Sequence, residues 1–505
     1  MTAWLDRLLG RVTMYALVII SLGVLALAAL IGSLIGQISY PVLDIVVSAA
    51  VLLVATNVSN WLIGHLFRIQ PQTSSSFITA LLLLFIFAPT LEPAGLGTLA
   101  LAGVVASATK YLLAIRGRHI FNPAAASALI VGSIAPLLTS TFVTWWVGTG
   151  FLVPVATVAA LAILFRTRKL WLGATFVAVA VLAWGVNSLA TGLPFLDGVS
   201  FAVFQYPTVF FAGFMLSEPL TLPPRRWQQL TEAVLVGVFF ALPISVFGYL
   251  GNSPQRALIV GNLVAFFFGQ RRGIRLTYVG KKQLSPTSWE LEFAPKAPVR
   301  FTPGQFMELT LPHPKTDARG WRRVFSIASA PGATVKFGIR LPEKSSTFKR
   351  SLLALEPGTR ISATSVGGDF VLPKTAGPVL LVAGGIGITP YVSQLEHLTA
   401  GGRNRDVALV YAISTPDDLA YADLLASAGC STVTVVSATK PAKLPKGWKW
   451  VEAQRLTGAQ LLAAVPDVTS RHAYLSGTPA MVGALKKALR KAGVRRIHTD
   501  VFVGY

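Results

Sequence analysis

Cysteine is almost absent from this chain, and its absence removes several kinds of chemistry. Cys430 is the single cysteine in 505 residues. A disulfide within the chain, a zinc site built from thiolates and an iron–sulfur cluster held by cysteines are therefore excluded. We expect no metal site, and any redox chemistry must depend on a bound organic group or on other side chains.

Charged residues are scarce and unevenly distributed. They make up 13% of the chain, against 53% hydrophobic residues, and the mean hydropathy is +0.60. Residues 1–272 contain only 14 of the 44 Lys and Arg and 6 of the 21 Asp and Glu. A chain this long and this apolar is expected to join a membrane domain to a basic soluble domain.

Two further absences exclude classes of partner. The net charge of +23 is spread through an alternating apolar pattern without a nucleic-acid reader motif, so we expect no nucleic-acid binding. Histidine in the apolar half is limited to His65 and His119, both beside basic loops. Haem carried across a membrane needs stacked pairs of axial ligands inside helices, so we also expect no haem.

Residues 1–272 are predicted to form a polytopic helical membrane domain with about ten spans. Apolar stretches of membrane-spanning length define them, and the third, which ends at Pro89, is short enough to be broken or re-entrant. The predicted spans are 14–36, 43–65, 77–91, 95–114, 122–138, 142–165, 171–190, 200–217, 228–248 and 254–270. Lys and Arg cluster in alternate loops, which predicts a multi-pass protein of the cell inner membrane with both termini cytoplasmic.

The second half has the patterns of two soluble domains. Residues 273–375 consist of short β-like runs separated by Pro, Gly and Ser, which predicts an antiparallel β-barrel. Residues 376–505 repeat a strand, a turn and a helix, which predicts a doubly wound α/β domain with a parallel sheet.

Two motifs in the second half indicate nucleotide chemistry. In "AGGIGITP", Gly384, Gly385 and Gly387 would let the backbone approach a pyrophosphate, and Thr389 is predicted to cap the following helix. A tight strand-to-helix connection is the alternative. In "RRVFSIAS", alternation places Arg323 and Phe325 on one face of a strand, where a guanidinium can bind phosphate beside an aromatic ring.

With these motifs, residues 276–505 resemble the ferredoxin–NADP reductase superfamily. The likeness follows "PGQF", "RVFS", "SSTFKRSLLALEPGTRI", "GGDFVLP", "GGIGITP", "YLSGTPAM" and the terminal "FVGY" in order. It implies FAD on the barrel and NAD(P)H on the α/β domain. The implied FAD residues are Arg323, Phe325, Ser326, Ser346 and Thr347, the implied nucleotide residues are Gly384, Gly385, Gly387, Thr389, Gly477 and Pro479, and Tyr505 is implied to lie against the flavin.

One departure from that family concerns Ser476. The family usually has a cysteine at this place, near the expected nicotinamide, and we predict that serine slows hydride transfer without abolishing it. Lys440 follows a strand end where it could meet a 2′-phosphate, although a solvated loop lysine is the favoured interpretation. The choice between NADH and NADPH stays open.

Polar residues inside the predicted spans are candidates for function because their burial in a membrane is costly. They include Lys110, Asn122, Thr208 with Glu218, and Glu232. The alternative is that each is satisfied by neighbouring helix carbonyls or lies at an interface.

The segments "ITALLL", "ATKYLLAIRGRHIFNPAA" and "FMLSEPLTLPP" resemble the corresponding segments of two membrane subunits. These are NqrB of the Na⁺-translocating NADH:quinone reductase and RnfD of the Rnf complex. The likeness covers most of residues 40–270 and implies FMN or another flavin in the membrane domain. Thr208 aligns with the threonine that carries FMN in those subunits. Gln205, Tyr206 and Pro207 replace the small residues read by the attaching enzyme, so covalent attachment is doubtful and a noncovalent flavin is favoured.

The sequence thus predicts a membrane flavoprotein oxidoreductase. Electrons would pass from NAD(P)H through FAD to a membrane flavin, and then to quinone or an extracytoplasmic acceptor. One alternative is a reductase of an extracytoplasmic flavoprotein or metal. Another is a transporter-like module regulated by a nucleotide-binding domain.

Overall fold

The protein is described by a computed structural model. The described residues are 9, 12–67, 73–115, 118–138, 142–242, 253–268, 273–314, 321–343, 345–402 and 405–502. They fall into two compact units, one within Trp4–Arg272 and the other within Gly273–Tyr505.

The N-terminal unit is helical. Its helices are α1 (Met14–Leu34), α2 (Val42–Leu66), α3 (Thr73–Ile86), α4 (Pro93–Leu112), α5 (Pro123–Leu138), α6 (Val153–Arg166), α7 (Leu170–Ala190), α8 (Phe195–Phe204), α9 (Thr208–Phe210, continued by a π-helix over Phe211–Met215), α10 (Arg226–Ala241) and α11 (Pro254–Phe268). A two-stranded hairpin, β1 (Ala114–Ile115) and β2 (Arg118–His119), joins α4 to α5.

Four of these helices are long and apolar enough to cross a membrane. They are α1, α2, α4 and α7, and a bent pair, Phe195–Phe204 with Thr208–Met215, would make a fifth. Shorter apolar helices lie at four more of the predicted spans. The unit is therefore compatible with membrane association, and the number of ten spans stays a prediction.

In two of the predicted spans, the helix covers only part of the apolar stretch. Helix α3 ends at Ile86, and α6 begins at Val153 where a start near residue 142 was expected. The intervening segments are extended and pair with each other through a bridge between Phe87 and Val143. The Trp146 indole also donates to the Leu84 carbonyl at 2.6 Å. These bonds satisfy backbone groups that a continuous helix would have satisfied internally.

The first part of the C-terminal unit is a barrel of six antiparallel strands. They are β3 (Ile274–Ser285), β4 (Ser288–Pro295), β5 (Phe306–Thr310), β6 (Arg322–Ser326), β7 (Val335–Arg340) and β8 (Arg360–Gly367), with helix α12 (Thr347–Leu353) before β8. Their order is β6-β5-β8-β3-β4-β7, and a bridge between Ile327 and Phe337 connects the two ends. The predicted antiparallel barrel is confirmed.

The second part is a parallel sheet between helices. Its strands are β9 (Val379–Gly384), β10 (Val407–Ala412), β11 (Thr432–Ser437), β12 (Lys449–Glu452), β13 (His472–Gly477) and β14 (Ile497–Val501), and its helices are α13 (Thr389–Ala400), α14 (Ala422–Ser427), α15 (Gly458–Ala464) and α16 (Pro479–Lys491). The order is β12-β11-β10-β9-β13-β14 with every pair parallel. The predicted doubly wound sheet is confirmed.

Side-chain hydrogen bonds join the barrel to the sheet. Asp418 accepts from the Thr287 hydroxyl at 2.9 Å and from Arg340 at 3.2 Å. The Gln394 amide donates to the Phe370 carbonyl at 2.7 Å, and the Ser393 hydroxyl donates to the Ser329 carbonyl at 2.6 Å. The barrel and the parallel sheet therefore meet in one polar contact region, the polar seam, which contains Asp418, Ser393 and Gln394 with their partners.

Candidate functional site

The candidate site lies where the strand order of the parallel sheet reverses. Strand β9 is flanked by β10 on one side and by β13 on the other, so chain connections leave it in opposite directions. In open α/β sheets this arrangement leaves a crevice at the carboxyl ends of the two central strands. Gly384 ends β9 and Gly477 ends β13, which places both predicted glycine motifs at that crevice.

The glycine turn after β9 needs glycine for two separate reasons. Gly385 has a φ of +54°, in the left-handed region that favours glycine, and faces open space. At Gly387 a Cβ would lie 2.6 Å from the Ser476 carbonyl oxygen. The turn is thus pressed against the end of β13 and leaves a cradle of bare backbone above it, which fits a pyrophosphate.

Thr389 does not cap the helix that follows. The N-cap is Ile388, because a 3₁₀ turn over Gly385–Ile388 leads directly into α13. Thr389 is buried, and its hydroxyl donates to the Ile386 carbonyl at 3.1 Å. The prediction of a Thr389 cap is wrong, while Thr389 still lies in the first turn of the helix beside the cradle.

Ser476, which is predicted to face the nicotinamide, lies near the carboxyl end of β13. It is 0% exposed, and among the described residues its hydroxyl has no hydrogen-bond partner. Gly477 follows it at the strand end, and Pro479 opens α16 behind the cap residue Thr478. A buried hydroxyl without a partner fits a position that a bound molecule would cover.

Asp500 is a functional candidate that the sequence reasoning missed. It lies opposite Ser476 in the register of β13 with β14, and it accepts from the Ser326 hydroxyl at 3.3 Å. Burial raises the pKa of Asp500 to about 6, although the Ser326 hydrogen bond works against that shift. The available signal was that Asp500 is the sole carboxylate after Asp467.

Asp500 connects the barrel to the nucleotide crevice. Ser326 ends the barrel strand β6, whereas Ser476 is the last residue but one of the sheet strand β13. The Asp500 carboxyl accepts from the predicted FAD residue Ser326, and Asp500 pairs in register with the predicted nicotinamide residue Ser476. A hydroxyl bonded to a carboxyl with a pKa near neutrality can pass one proton in either direction.

Arg323 and Phe325 share one face of β6, as the alternation predicted. Both are buried, and Val324 between them is exposed. Phe325 packs in the apolar core of the barrel, stacked on Phe348 at 6.0 Å between ring centroids. The Arg323 guanidinium lies 5.2 Å over the same Phe348 ring. The strand thus holds its cation against the start of α12.

The two hydroxyl residues before and in α12 are near that cation. Ser346 caps the helix by accepting from the Lys349 amide at 3.3 Å. Thr347 lies 3.1 Å from the His313 ring, which the sequence reasoning did not single out. A guanidinium, two hydroxyls and an imidazole form a donor set suited to a diphosphate, and the assignment of Arg323, Ser346 and Thr347 to FAD stays a prediction.

The last predicted residue of this site, Tyr505, lies outside the described residues. Phe502, the final described residue, donates its amide to the Gly477 carbonyl at 2.9 Å. The end of the chain is therefore tied to the nucleotide crevice. Lys440 is exposed, as expected of a solvated lysine.

Thr208 in the N-terminal unit is fully enclosed. It is 0% exposed, and its hydroxyl donates to the Ala202 carbonyl at 2.6 Å. Tyr206 before it packs on Trp184 and Phe240, at 5.0 and 4.8 Å between ring centroids. The π-helix over Phe211–Met215 follows directly. The hydroxyl that would carry a covalent flavin is thus occupied by its own backbone.

Lys110 and Asn122 are also held by neighbouring groups. The Lys110 ammonium donates to the Ser75 carbonyl and hydroxyl, both at 3.2 Å, and Glu218 is close enough to attract it. Asn122 accepts from the Ala124 and Ala125 amides and so caps α5. Thr208, Lys110 and Asn122 each bond to different partners and do not form one cluster.

A second set of polar residues, Asn122, Asn262 and Glu232, links three segments of this unit. The Asn122 amide donates to the Asn262 side chain at 2.8 Å, and Asn262 also contacts the buried carboxylate of Glu232. On the same helix as Glu232, Gln229 accepts from Lys169 at 2.6 Å. Among the described residues there is no group of three or more His, Cys, Asp or Glu side chains able to hold a metal ion.

Comparison with known proteins supports the C-terminal resemblance. Residues 381–487 match the family described as the oxidoreductase NAD-binding domain. The electron transfer component of 2-halobenzoate 1,2-dioxygenase from Burkholderia cepacia is 28% identical over 225 residues, which is 43% of this chain and 62% of the relative. Ferredoxin–NADP reductase B from Sorangium cellulosum is 27% identical over 232 residues, or 44% of this chain and 94% of the relative.

The chain is also similar to a solved structure, the ferredoxin–NADP⁺ reductase from Neisseria gonorrhoeae with bound FAD and NADP. It is 20% identical and covers 45% of this chain and 98% of its own, with a TM-score of 0.39. The chain spans about two thirds of the length of the first two curated relatives, 62% and 66%. The family match and the curated relatives support a ferredoxin reductase-like FAD/NAD-binding domain in the C-terminal unit, and the NqrB/RnfD-like resemblance of the other unit stays a prediction.

Proposed function

We propose that the chain is a membrane flavoprotein oxidoreductase driven by NAD(P)H. Electrons enter at the C-terminal unit, where FAD accepts them, and leave through a flavin in the N-terminal unit to quinone or to an acceptor outside the cytoplasm. With quinone as acceptor, NAD(P)H and one proton yield NAD(P)⁺ and quinol, so two electrons and two protons are transferred in total.

The observation that carries this proposal is the meeting of Ser326, Asp500 and Ser476. Ser326, at the end of the barrel strand implied to bind FAD, donates to the Asp500 carboxyl, and Asp500 pairs in register with Ser476 of the sheet strand implied to bind NAD(P)H. A donor and an acceptor of a hydride must approach within about 3–3.5 Å to react. Because Asp500 contacts both strands, the two implied cofactor sites would lie side by side, which supports such an approach.

The residues present fit both cofactors. Arg323 with Ser346 and Thr347 supplies a cation and hydroxyls for the diphosphate of FAD. Gly385 and Gly387 leave a bare backbone cradle before the twelve-residue helix α13, which suits the pyrophosphate of NAD(P)H. FAD supplies the change from two-electron to one-electron transfer when it is bound.

The chain's own contribution to the chemistry is positioning and one proton. Ser476 presents a hydroxyl shielded from water beside the crevice, with no competing partner among the described residues. Ser326 and Asp500 hold a proton between a hydroxyl and a carboxyl with a pKa of about 6. Above that pH the ionised carboxylate of Asp500 is the form that accepts a proton through Ser326.

The proposal is tested on the full chain purified in a mild detergent. We expect a flavin absorbance spectrum, release of FAD on denaturation, and oxidation of NAD(P)H with ferricyanide as acceptor. A preparation lacking both flavin and NAD(P)H oxidation contradicts the proposal. Bound nucleotide without turnover would instead support the transporter-like alternative.

The exit of electrons needs a second measurement. Vesicles that contain the chain in known orientation are supplied with NADH or NADPH on one side, and reduction is followed with a membrane quinone and with an impermeant acceptor on the other side. Quinone reduction supports the first exit, and reduction of the impermeant acceptor supports an extracytoplasmic flavoprotein or metal as the partner.

A further inference from the structure

The C-terminal unit has a cavity far from the candidate site. It has a volume of about 360 Å³ and is formed by the loops that precede three neighbouring strands, β9, β13 and β14. The residues that these loops contribute to its lining are Thr375, Gly377, Pro378, Thr469, Ser470, His472, Gly493, Arg495 and Arg496. The cavity therefore opens at the amino ends of the strands.

The nucleotide crevice lies at the opposite edge of the same sheet. Strands β9 and β13 each have six residues, so their two ends are separated by about 17–20 Å. Ligands of open α/β sheets normally bind at the carboxyl edge. A ligand in the amino-edge cavity would thus occupy a second site that leaves the crevice free.

The cavity lining has positive charges and no carboxylate. Arg495, Arg496 and His472 contribute to it, together with the side chains of Thr375 and Thr469. Arg471 pairs with both Asp406 and Asp467 at 2.8 Å. These three side chains together carry one negative charge, which offsets the two guanidinium groups of Arg495 and Arg496 only in part, so the cavity keeps a net positive charge.

His472 is part of this wall and is held by Arg496. Its Nε2 lies 2.7 Å from the Arg496 guanidinium, which has only donors, so Nε2 must accept and Nδ1 must carry the proton. Nδ1 is buried and has no partner within the described part of the chain. Burial, Arg496 and Arg405 lower the pKa of His472, and His498 also faces it.

The surroundings extend the positive field. Residues 479–499 include six Lys or Arg and no Asp or Glu. Lys487, Arg490 and Lys491 of α16 are exposed beside the loop that carries Arg495 and Arg496. Such a field raises the local concentration of anions around the cavity.

We propose that this amino-edge cavity binds a phosphate group of an anionic ligand. Two guanidinium groups can clamp phosphate oxygens, and threonine hydroxyls can complete the set of donors. A volume of about 360 Å³ exceeds the needs of phosphate alone and admits a remainder such as glycerol or a sugar. A soluble phosphate monoester and the phosphodiester of a lipid headgroup share this chemistry.

The test is calorimetric titration of the full chain in a neutral detergent with inorganic phosphate, at constant ionic strength. We expect saturable binding, and we expect the double variant Arg495→Gln with Arg496→Gln to weaken it at least tenfold. The matched control, Arg490→Gln with Lys491→Gln, removes the same charge from the same surface outside the cavity and should change the Kd by less than twofold. NAD(P)H oxidation should be unchanged in both.

The NMR signals of the histidines in ¹³C-labelled parent protein give a second measurement. It does not depend on whether the arginine variants fold. With His472 assigned through His472→Gln, bound phosphate should raise the pKa of His472. Competition by sn-glycerol 3-phosphate identifies a soluble monoester, and competition by dihexanoyl phosphatidylglycerol below its micelle concentration identifies a lipid headgroup. Absence of saturable phosphate binding, or an equal loss in both double variants, overturns the proposal.

Discussion

The candidate residues of the two units differ in how their buried polar groups are satisfied. In the N-terminal unit, Thr208 and Lys110 are bonded to nearby oxygens, and Asn122 caps a helix. In the C-terminal unit, the Ser476 hydroxyl is buried with no partner among the described residues, beside glycines that leave bare backbone. The first pattern stabilises a fold in an apolar setting, and the second fits the place of a bound molecule.

This difference shows where evidence for a site can be found. A candidate residue chosen by polarity alone can serve the fold, because every polar group in an apolar unit needs a partner. A candidate glycine that lies in close contact with the backbone of another segment is harder to explain by the needs of the fold alone. Gly387 is of the second kind, since no side chain fits between it and the Ser476 carbonyl.

The largest effect is expected for Gly387→Ala. The added Cβ would lie 2.6 Å from a backbone oxygen, so the turn must move away from β13 and the cradle is deformed. NAD(P)H oxidation should fall by about 100-fold, as expected when reacting groups are displaced by roughly 1 Å. Steady-state kinetics and thermal unfolding measure the two consequences.

Gly483→Ala is the matched control for that substitution, since a Cβ at Gly483 meets nothing within 4 Å. Gly483 lies within helix α16, where alanine is favoured over glycine by up to about 1 kcal/mol. Equal activities of the two variants would mean that the turn is only a strand connection.

The second effect concerns Asp500→Asn. If the ionised carboxylate accepts a proton through Ser326, turnover in the parent should fall below pH about 6, where the carboxyl is protonated. The variant should lose this dependence and be slower by about 10–100-fold at pH 7.5, the usual range for a general base. The pH profile of kcat measures it.

Asp417→Asn, which changes an exposed acid, should keep the parental pH profile. An Asp500→Asn variant with that same profile would assign Asp500 a structural role only.

A smaller effect is expected for Ser476→Cys. The side chain is buried without a partner in the described part of the chain, so a sulfur can replace the oxygen at the cost of no hydrogen bond. Hydride transfer should be a few times faster, measured by stopped-flow reduction under anaerobic conditions. Equal rates in parent and variant would remove the idea that serine slows this step.

The smallest effect tests the other unit. Acid precipitation of the parent should release all flavin into the supernatant, because the Thr208 hydroxyl is bonded to Ala202 and enclosed. Thr208→Ala should lower stability by about 1 kcal/mol through the lost hydrogen bond and leave the flavin content unchanged. Flavin retained in the parental pellet and missing from that of the variant would establish covalent attachment and reverse our interpretation.

The sequence predicted the C-terminal architecture well because its signals are local. Alternation along β6 placed Arg323 and Phe325 on one face, and the glycine turn after β9 marked the crevice. Asp500 escaped notice because its importance depends on a strand pairing with Ser476 and a bond from Ser326, which are distant in sequence. The Thr389 cap was wrong because a 3₁₀ turn entered the helix one residue earlier.

The N-terminal unit was less predictable for a physical reason. Hydropathy locates apolar stretches of sequence, but it does not distinguish a helix from an extended segment. The segments around Phe87 and Val143 are extended and pair with each other. Nor does hydropathy tell which polar residue bonds to which helix, as Lys110 does to Ser75.

The polar seam between the barrel and the parallel sheet has a consequence for folding. Asp418 and Gln394 of the sheet region bond to groups of the barrel and of the segment that follows it. Separating the barrel from the parallel sheet would break these hydrogen bonds. Neither part can therefore unfold first without losing them. Residues 273–502 should therefore unfold in a single cooperative transition, although they contain two different sheets.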